Sequence, residues 1–146
     1  MSDAIHVVCP HCDTINRLPP AKLAAGGRCG ECHEALFDGH PVELDSARFT
    51  RHLDKGDIPL LIDFWAAWCG PCRAMAPEFD RAAARLEPGM RLVKVNVDQE
   101  PDLAARFGIR SIPTMILARH GKELARTSGA TSATAIAAWA QQHAGA

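Results

Sequence analysis

Apolar and polar residues follow two regular periods along most of this chain. Residues 60–65 are apolar apart from one carboxylate, which is typical of a buried strand. Residues 69–86 repeat their apolar positions at helical spacing and predict a long amphipathic helix. Its apolar face consists of Met75, Phe79, Ala82, Ala83 and Leu86. Residues 91–97 alternate between apolar and polar side chains, which predicts a further strand.

Shorter patterns complete a succession of strands and helices. They predict strands over 42–44, 114–118 and 123–127, and helices over 46–54, 101–107 and 132–143. The last two strands are expected to form a hairpin around His120 and Gly121. The order of these elements predicts an α/β fold, in which helices flank a mixed central sheet.

The first 39 residues have a different character. They are rich in glycine and proline and contain few periodic apolar runs. A segment of this size cannot bury enough apolar surface to fold by itself, so it needs a cross-link. We therefore divide the chain into a cross-linked N-terminal unit, residues 1–39, and an α/β domain, residues 40–146.

Bulk composition excludes several classes of protein. The chain has 16 Lys and Arg residues against 17 Asp and Glu, which argues against a strongly basic nucleic-acid-binding protein. It contains no apolar run of about 18 residues, so no transmembrane helix is expected. The first residues lack the basic start and apolar stretch of a secretory signal. These features predict a cytoplasmic protein without a membrane partner.

The six cysteines carry the chemical information. They form three Cys-x-x-Cys pairs, which are Cys9/Cys12, Cys29/Cys32 and Cys69/Cys72. This spacing is unlike the dispersed cysteines of small secreted proteins that disulfides stabilise. In a reducing compartment, such pairs are typically metal sites or redox centres.

The first two pairs have the spacing of a four-thiolate zinc site. Sixteen residues separate Cys9 and Cys12 from Cys29 and Cys32, and each pair can form a turn that directs backbone N–H groups at the sulfurs. Four thiolates complete the tetrahedral coordination of Zn²⁺, so the site would be structural and would stabilise a small unit. Rubredoxin-like iron or additional redox disulfides are the alternatives.

The N-terminal unit is acidic rather than basic. Residues 1–39 contain three basic side chains, five acidic ones and a single aromatic residue, Phe37. A Zn²⁺ ion with four thiolates makes the unit more negative, which opposes phosphate binding. We therefore expect no nucleic-acid partner, although zinc ribbons often bind nucleic acid. The unit is predicted to face another protein or to regulate activity.

The third pair follows the predicted buried strand and opens the long helix. Unpaired N–H groups at a helix N-terminus stabilise a thiolate, so Cys69 is expected to be the nucleophile. Cys72 lies one turn further along the helix, at a distance that allows a disulfide with Cys69. In this interpretation Cys69 attacks a substrate disulfide, and Cys72 then resolves the mixed disulfide.

Two charged residues on the predicted strands are candidates for proton transfer. Asp63 interrupts the apolar run 60–65, where burial raises the pKa of a carboxyl group and makes it a proton acceptor for Cys72. Lys94 is the one charge inside the neighbouring strand and is a candidate to modulate that equilibrium. The alternatives are that Asp63 is a hydrogen-bonded structural group and that Lys94 points to solvent.

The segment 62–72, with the sequence Ile-Asp-Phe-Trp-Ala-Ala-Trp-Cys-Gly-Pro-Cys, closely resembles the active-site strand and helix of thioredoxins. The similarity continues through Pro77, residues 94–98, residues 107–114 and Gly129, and it covers most of residues 41–146. It implies a thioredoxin fold, in which a cis peptide bond before Pro113 faces the cysteines.

The resemblance also implies a binding surface for protein substrates. The backbone of Ile112 would pair with an extended substrate segment. A shallow apolar platform around Cys69 would consist of Trp68, Gly70, Pro71, Pro113 and Gly129. From composition alone, Pro113 is also consistent with an ordinary loop proline before a strand.

The Gly-Pro dipeptide between Cys69 and Cys72 is the thioredoxin pattern that is associated with reduction, whereas oxidases and isomerases of this fold usually have a histidine there. We expect a monomeric protein-disulfide reductase, recycled by thioredoxin reductase and NADPH, with no organic cofactor bound. The Cys-rich N-terminal unit is similar to that of the zinc-binding thioredoxins of many bacteria. The alternative is a redox- or zinc-sensing adaptor whose thioredoxin domain is mainly a docking scaffold. The intact pair of active-site thiols favours the reductase.

Overall fold

The computed structural model describes residues 4–144. The N-terminal unit contains β1 (Ile5–Val8), β2 (Ile15–Leu18) and α1 (Pro20–Ala24). The remaining elements are β3 (Val42–Glu43), α2 (Ser46–Lys55), β4 (Leu60–Trp65), α3 (Gly70–Leu86), β5 (Arg91–Asn96), α4 (Pro101–Arg106), β6 (Thr114–Arg119), β7 (Lys122–Ser128) and α5 (Ala133–Ala144). From residue 42 onward, the predicted elements are all present, with ends that differ by no more than one residue. None of the helices within residues 4–144 has the length and apolar composition needed to cross a membrane.

The central sheet is mixed, as the sequence predicts. Its strand order is β3-β5-β4-β6-β7, where β3 and β4 are parallel to β5, and β6 is antiparallel to both β4 and β7. Successive side chains of a strand point to opposite faces. Leu61 of β4 therefore packs with the apolar residues of α3 and α5, while Ile62 packs with Phe49 of α2 and Leu103 of α4. Helices flank both faces, which confirms the predicted α/β fold.

The sequence patterns do not predict β1, β2 or α1. β1 and β2 pair in antiparallel fashion, with Val8 opposite Ile15, and Val7 of β1 packs in one cluster with Cys9 and Cys29. Each of these elements has only four or five residues, so its period is too short to be recognised in the sequence. Pairing and contacts around the cysteines stabilise them instead.

Arg91, the first residue of β5, joins the N-terminal unit to the central sheet. Its buried guanidinium donates hydrogen bonds to the carbonyl oxygens of Leu36 at 2.7 Å and Val8 at 3.2 Å. The guanidinium carbon lies 4.2 Å from the centroid of the Phe37 ring. The buried carboxyl group of Glu87 lies 3.9 Å from the same guanidinium. Burial raises the pKa of this carboxyl group to about 7, and the charge of Arg91 opposes that shift.

Helix α2 makes a second set of contacts with the N-terminal unit. Asp13, directly after Cys12, accepts a hydrogen bond from Arg48 Nε at 2.9 Å, and Nε2 of His52 lies 3.1 Å from its other carboxylate oxygen. Arg48 also donates to the carbonyl oxygen of Pro10 at 2.6 Å. Burial lowers the pKa of His52 to about 4, so the neutral ring donates one N–H to the carboxylate. The turn around Cys12 is therefore held against α2.

Candidate active site and metal centre

Cys69 and Cys72 lie at the N-terminus of α3 and form a disulfide, with Cα atoms 5.2 Å apart. Cys69 caps the helix, and its Sγ accepts a hydrogen bond from the N–H of Cys72 at 3.2 Å. Gly70 and Pro71 are the first two residues of the helix. Both cysteines are buried, with 6% of Cys69 and 3% of Cys72 exposed. The positive end of the α3 dipole therefore lies at the sulfur that the sequence predicts to be the nucleophile.

An exposed indole and a cis-proline loop flank the disulfide. Trp68 is 67% exposed, and its Nε1–H donates a hydrogen bond to Asp98 at 2.9 Å. The peptide bond between Ile112 and Pro113 is cis, as the resemblance implies. The carbonyl oxygen of Ile112 lies 3.8 Å from Sγ of Cys69. The carbonyl oxygen of Ile112 and the exposed indole of Trp68 therefore lie beside the disulfide.

A shallow cleft of about 280 Å³ adjoins Trp68 and Ile112. Its other lining residues are Val97, Ala104, Ile109, Arg110 and Ser111. Gly129 is tied to the same region, because its N–H donates to the carbonyl oxygen of Pro113 at 2.9 Å. Gly129 has a φ of 100°, a conformation that glycine adopts without strain. Of the predicted platform residues, Trp68, Gly70 and Pro71 are neighbours of the cysteines in sequence. Gly129 is joined to Pro113 by a hydrogen bond.

Asp63 is buried in the middle of β4, with 1% of its surface exposed. Within residues 4–144, neither of its carboxylate oxygens has a hydrogen-bond partner. Burial raises the pKa of this carboxyl group to about 7, against the opposing effect of the Lys94 charge. No protein group within residues 4–144 therefore hydrogen-bonds the Asp63 carboxyl group, and its role as a proton acceptor stays a prediction.

Lys94 lies directly opposite Asp63 in the register of β4 and β5. Its side chain is half-buried, and its Nζ lies 4.5 Å from the centroid of the Trp65 ring, a distance typical of a cation–π contact. The positive charge favours ionisation of Asp63 and so lowers the pKa of that carboxyl group. The side chain packs on the indole instead of simply pointing to solvent.

The four remaining cysteines form one cluster. The Sγ atoms of Cys9, Cys12, Cys29 and Cys32 all lie within 4.8 Å of one another. The Cys9–Cys32 and Cys12–Cys29 sulfur pairs are 3.7 and 3.6 Å apart. A tetrahedron with Zn–S bonds of about 2.3 Å has edges of about 3.8 Å, so this donor set fits Zn²⁺.

Backbone N–H groups point at the sulfurs, as expected for such turns. The N–H of His11 lies 3.3 Å from Sγ of Cys9, and the N–H of Glu31 lies 3.4 Å from Sγ of Cys29. Over the described part of the chain, the cluster contains the four cysteines and no histidine. The ring of His11 is directed elsewhere, with Nε2 3.2 Å from the carbonyl oxygen of Ala35.

Comparison with known proteins agrees with this geometry. The family model described as "Thioredoxin" matches residues 40–142. This chain belongs to the thioredoxin family. Thioredoxins are protein-disulfide oxidoreductases, so the chain is an enzyme of that class. A zinc-ribbon model described as "Thioredoxin 2, N-terminal" matches residues 8–34, the segment that contains the cysteine cluster.

Individual thioredoxins are similar over different shares of the chain. Thioredoxin C-3 of Corynebacterium nephridii is 41% identical over 136 residues, which cover 93% of both proteins. Thioredoxin 1 of Nostoc is 38% identical over 102 residues, or 70% of this chain and 95% of that protein. The thioredoxin of Haemophilus influenzae is 40% identical over the same shares. The first of these similarities extends into the N-terminal unit of this thioredoxin.

The sequence predicts no role for several residues that lie around the active site and the cysteine cluster of this thioredoxin. Asp98 comes after β5 at the same end of the sheet as Cys69 comes after β4. Its position in the sequence could therefore have predicted that it lies near the active site. Arg91 gave no signal, since an arginine at the start of a strand is ordinarily expected to be exposed. Asn16 and Asp13 are polar residues near cysteines, and only the tertiary structure reveals their partners.

Proposed function

We propose that this thioredoxin is a protein-disulfide reductase that uses Cys69 and Cys72. The observation that carries the proposal is the disulfide at the N-terminus of α3, with Ile112 and exposed Trp68 beside it. The Gly-Pro dipeptide between the cysteines favours the reducing direction. The Cys69–Cys72 disulfide is the oxidised form, which the chain reaches after it has given two electrons to a substrate.

The reaction begins with the reduced pair. The Cys69 thiolate, stabilised by the N–H of Cys72 and the helix dipole, attacks one sulfur of a substrate disulfide. The substrate S–S bond breaks, a mixed disulfide with Cys69 forms, and the first substrate sulfur leaves as a thiolate that takes up a proton. The Cys72 thiolate then attacks Sγ of Cys69 and releases the second substrate thiol. Two thiols on the enzyme become a disulfide, while one substrate disulfide becomes two thiols.

Asp63 is proposed to accept the proton of Cys72 before the second step. A pKa of about 7 lets the carboxyl group take up and release a proton near neutral pH. Both of its oxygens are free of other partners within residues 4–144, so they are available for this role. Lys94 is proposed to tune the equilibrium through its charge, since it lies opposite Asp63 on β5.

The substrate segment is proposed to lie in an extended conformation along Ile112, whose backbone would pair with it. The apolar platform for it consists of Trp68, Gly70, Pro71, Pro113 and Gly129. Trp68, Gly70, Pro71 and Gly129 are exposed, whereas Pro113 is buried. A shallow, exposed surface suits substrates that are whole proteins rather than small molecules. This surface supports protein disulfides as the substrate class.

We further propose that Cys9, Cys12, Cys29 and Cys32 hold one Zn²⁺ ion. The ion would supply four bonds that cross-link residues 1–39, and four thiolates leave it no open position for substrate. The N-terminal unit contacts Asp57, just before β4, whereas Cys69 lies in the segment after the end of that strand. The six residues of β4 span about 20 Å. The closed four-thiolate coordination supports a structural role for the ion. The domain boundary is proposed between residues 39 and 40.

The cellular setting is proposed from the family. A chain left with the Cys69–Cys72 disulfide needs a donor of two electrons, and a thioredoxin reductase that uses NADPH would supply them. No organic cofactor is then needed on this chain. We propose a monomeric protein of the cytoplasm, without a nucleic-acid or membrane partner.

The proposed function is tested by reduction of insulin disulfides with dithiothreitol as the electron donor. We expect Cys69→Ser to abolish the catalysed rate, because no other side chain replaces the attacking sulfur. Cys72→Ser is expected to accumulate a mixed disulfide on Cys69, visible by mass spectrometry. Ala74→Ser, a conservative change at an exposed position of α3, is the control and retains the rate. Full activity of Cys69→Ser would refute the proposal.

A further inference from the structure

Asn16 is a buried amide of β2 that links the two halves of the cysteine cluster. Only 8% of its surface is exposed. Its Oδ1 accepts a hydrogen bond from the N–H of Gly30 at 2.9 Å, and its Nδ2 donates to the carbonyl oxygen of Thr14 at 3.2 Å. The same Nδ2 lies 3.5 Å from Sγ of Cys29. One side chain thus connects the turn after Cys12 with the second cysteine pair.

The chemistry of the neighbours determines the orientation of this amide. The N–H of Gly30 can only donate, so the amide oxygen faces it. The carbonyl oxygen of Thr14 and a Cys29 thiolate can only accept, so the NH₂ group faces both of them. Its two hydrogens match these two acceptors, and the reversed orientation would place the NH₂ group against the N–H of Gly30 and the amide oxygen against both acceptors.

Cys29 receives more than one donor. The backbone N–H groups of Glu31 and Cys32 lie 3.4 and 3.5 Å from its sulfur, in addition to the Asn16 amide. These donors offset part of the negative charge that four thiolates concentrate at a metal ion. The Asn16 contact comes from a side chain, so it can be removed by substitution while the backbone donors remain.

We propose that Asn16 is a positioning residue for zinc binding. Its amide holds the Cys29 thiolate and the Gly30 turn in the orientation that Zn²⁺ requires, and its N–H withdraws charge from the sulfur. The inference rests on the zinc site of the proposed function and adds a residue outside the four-cysteine motif. Removal of such an outer partner typically weakens metal binding by about 10- to 100-fold.

Two substitutions separate the donor from the shape of the side chain. Asn16→Asp keeps the shape and the acceptor for Gly30 but loses the NH₂ group. Asn16→Leu removes the donor without adding a negative charge. The matched control is Arg17→Gln, which changes the net charge by the same amount as Asn16→Asp. Arg17 is the next residue of β2, exposed on the opposite face of the strand.

The test uses the full chain with reduced thiols. The zinc dissociation constant is measured by competition with a chromophoric chelator, and the sulfur-to-metal charge-transfer band is recorded after loading with Co²⁺. We expect both Asn16 variants to bind Zn²⁺ about 10- to 100-fold more weakly. Their Co²⁺ band should move to lower energy, because a thiolate without its donor gives up an electron more readily. Arg17→Gln should leave both readouts unchanged.

Three results would overturn the inference. Unchanged zinc affinity in Asn16→Leu would do so even if Asn16→Asp bound weakly, because the weakness would then come from the added charge. Weaker binding with an unmoved Co²⁺ band would show a merely structural role. Failure of the unaltered chain to bind zinc would refute the zinc site and this inference together. Insulin reduction through Cys69 is a separate test of the reductase proposal, and it reports only whether the thioredoxin domain of each variant, residues 40–146, is folded.

Discussion

Asp63, the proposed proton acceptor, also affects the stability of the fold. Its carboxylate oxygens have no hydrogen-bond partner within residues 4–144, and its pKa is raised to about 7 by burial. An ordinary aspartate has a pKa near 4 (about 3.9). A charge that folding removes from water destabilises the folded state, so the proposed proton acceptor carries an energetic cost. Such conflicts between local stability and function are typical of active sites.

The destabilisation of the folded state by Asp63 depends on pH. Below about pH 4 the carboxyl group is protonated in the folded and the unfolded chain, and no penalty exists. Between about pH 4 and 7 the unfolded chain ionises while the folded chain stays protonated, so the folded state loses stability as pH rises. Above the folded-state pKa of about 7 the penalty is constant.

We expect Asp63→Asn to be more stable than the unaltered protein at pH 8, by up to about 4 kcal/mol, and by much less at pH 4. Asparagine keeps the shape and leaves a similar buried polar group, so the comparison isolates the charge. The measurement is urea unfolding of the oxidised proteins at both pH values. A difference in unfolding free energy that does not vary with pH would contradict the assignment.

Among the secondary-structure elements, β5 has a role beyond the sheet. Arg91 at its start reaches the carbonyl oxygens of Val8 and Leu36, so the strand that forms the domain core also anchors the N-terminal unit. Its guanidinium is 3.9 Å from the carboxylate of Glu87, and both side chains are almost completely buried. Loss of one partner of a buried pair leaves the other charge uncompensated.

Arg91→Met is therefore expected to lower the free energy of unfolding by about 3–5 kcal/mol. The methionine retains most of the apolar volume but none of the donors. Urea unfolding of the full, metal-loaded chain measures the effect. Arg17→Met makes the same change at an exposed position and should alter stability by no more than about 0.5 kcal/mol. Equal effects of the two substitutions would show that the Arg91 contacts contribute little.

At the scale of the whole molecule, the four-cysteine cluster and the Cys69–Cys72 disulfide lie at different places around the central sheet. The N-terminal unit approaches the sheet at Asp57 and Arg91, where the parallel strands begin. The disulfide follows the other end of β4. The exposed surface of Trp68 is consequently left uncovered by the cysteine cluster.

Removal of zinc should therefore unfold the N-terminal unit and spare the active site. We expect a chelator to remove protection from amide hydrogen exchange over β1 and β2, because a unit of this size depends on its cross-link. The amides of β4 should stay protected, and insulin reduction should continue at most of its original rate. Parallel measurements of zinc content, exchange and turnover make the comparison. Turnover that falls in proportion to zinc release would instead favour the zinc-sensing alternative.

The sequence by itself determined the elements from residue 42 onward and the division of the cysteines into two kinds. Long periodic runs such as 60–65 and 69–86 carry their own signal, since burial on a strand or helix repeats at a fixed spacing. The Cys-x-x-Cys spacings are likewise local. Asp63 was recognisable because a carboxylate in an apolar run is costly unless it has a function or a partner.

Only the tertiary structure decided which distant groups meet. Three features depend on elements far apart in the chain. They are the lack of hydrogen-bond partners for Asp63 among the described residues, the contact of Lys94 with Trp65, and the contacts of Arg91 with the N-terminal unit. The short strands β1 and β2 and the orientation of the Asn16 amide depend on the same long-range packing. Hydrogen bonds and burial are properties of three-dimensional neighbours, so no local period encodes them.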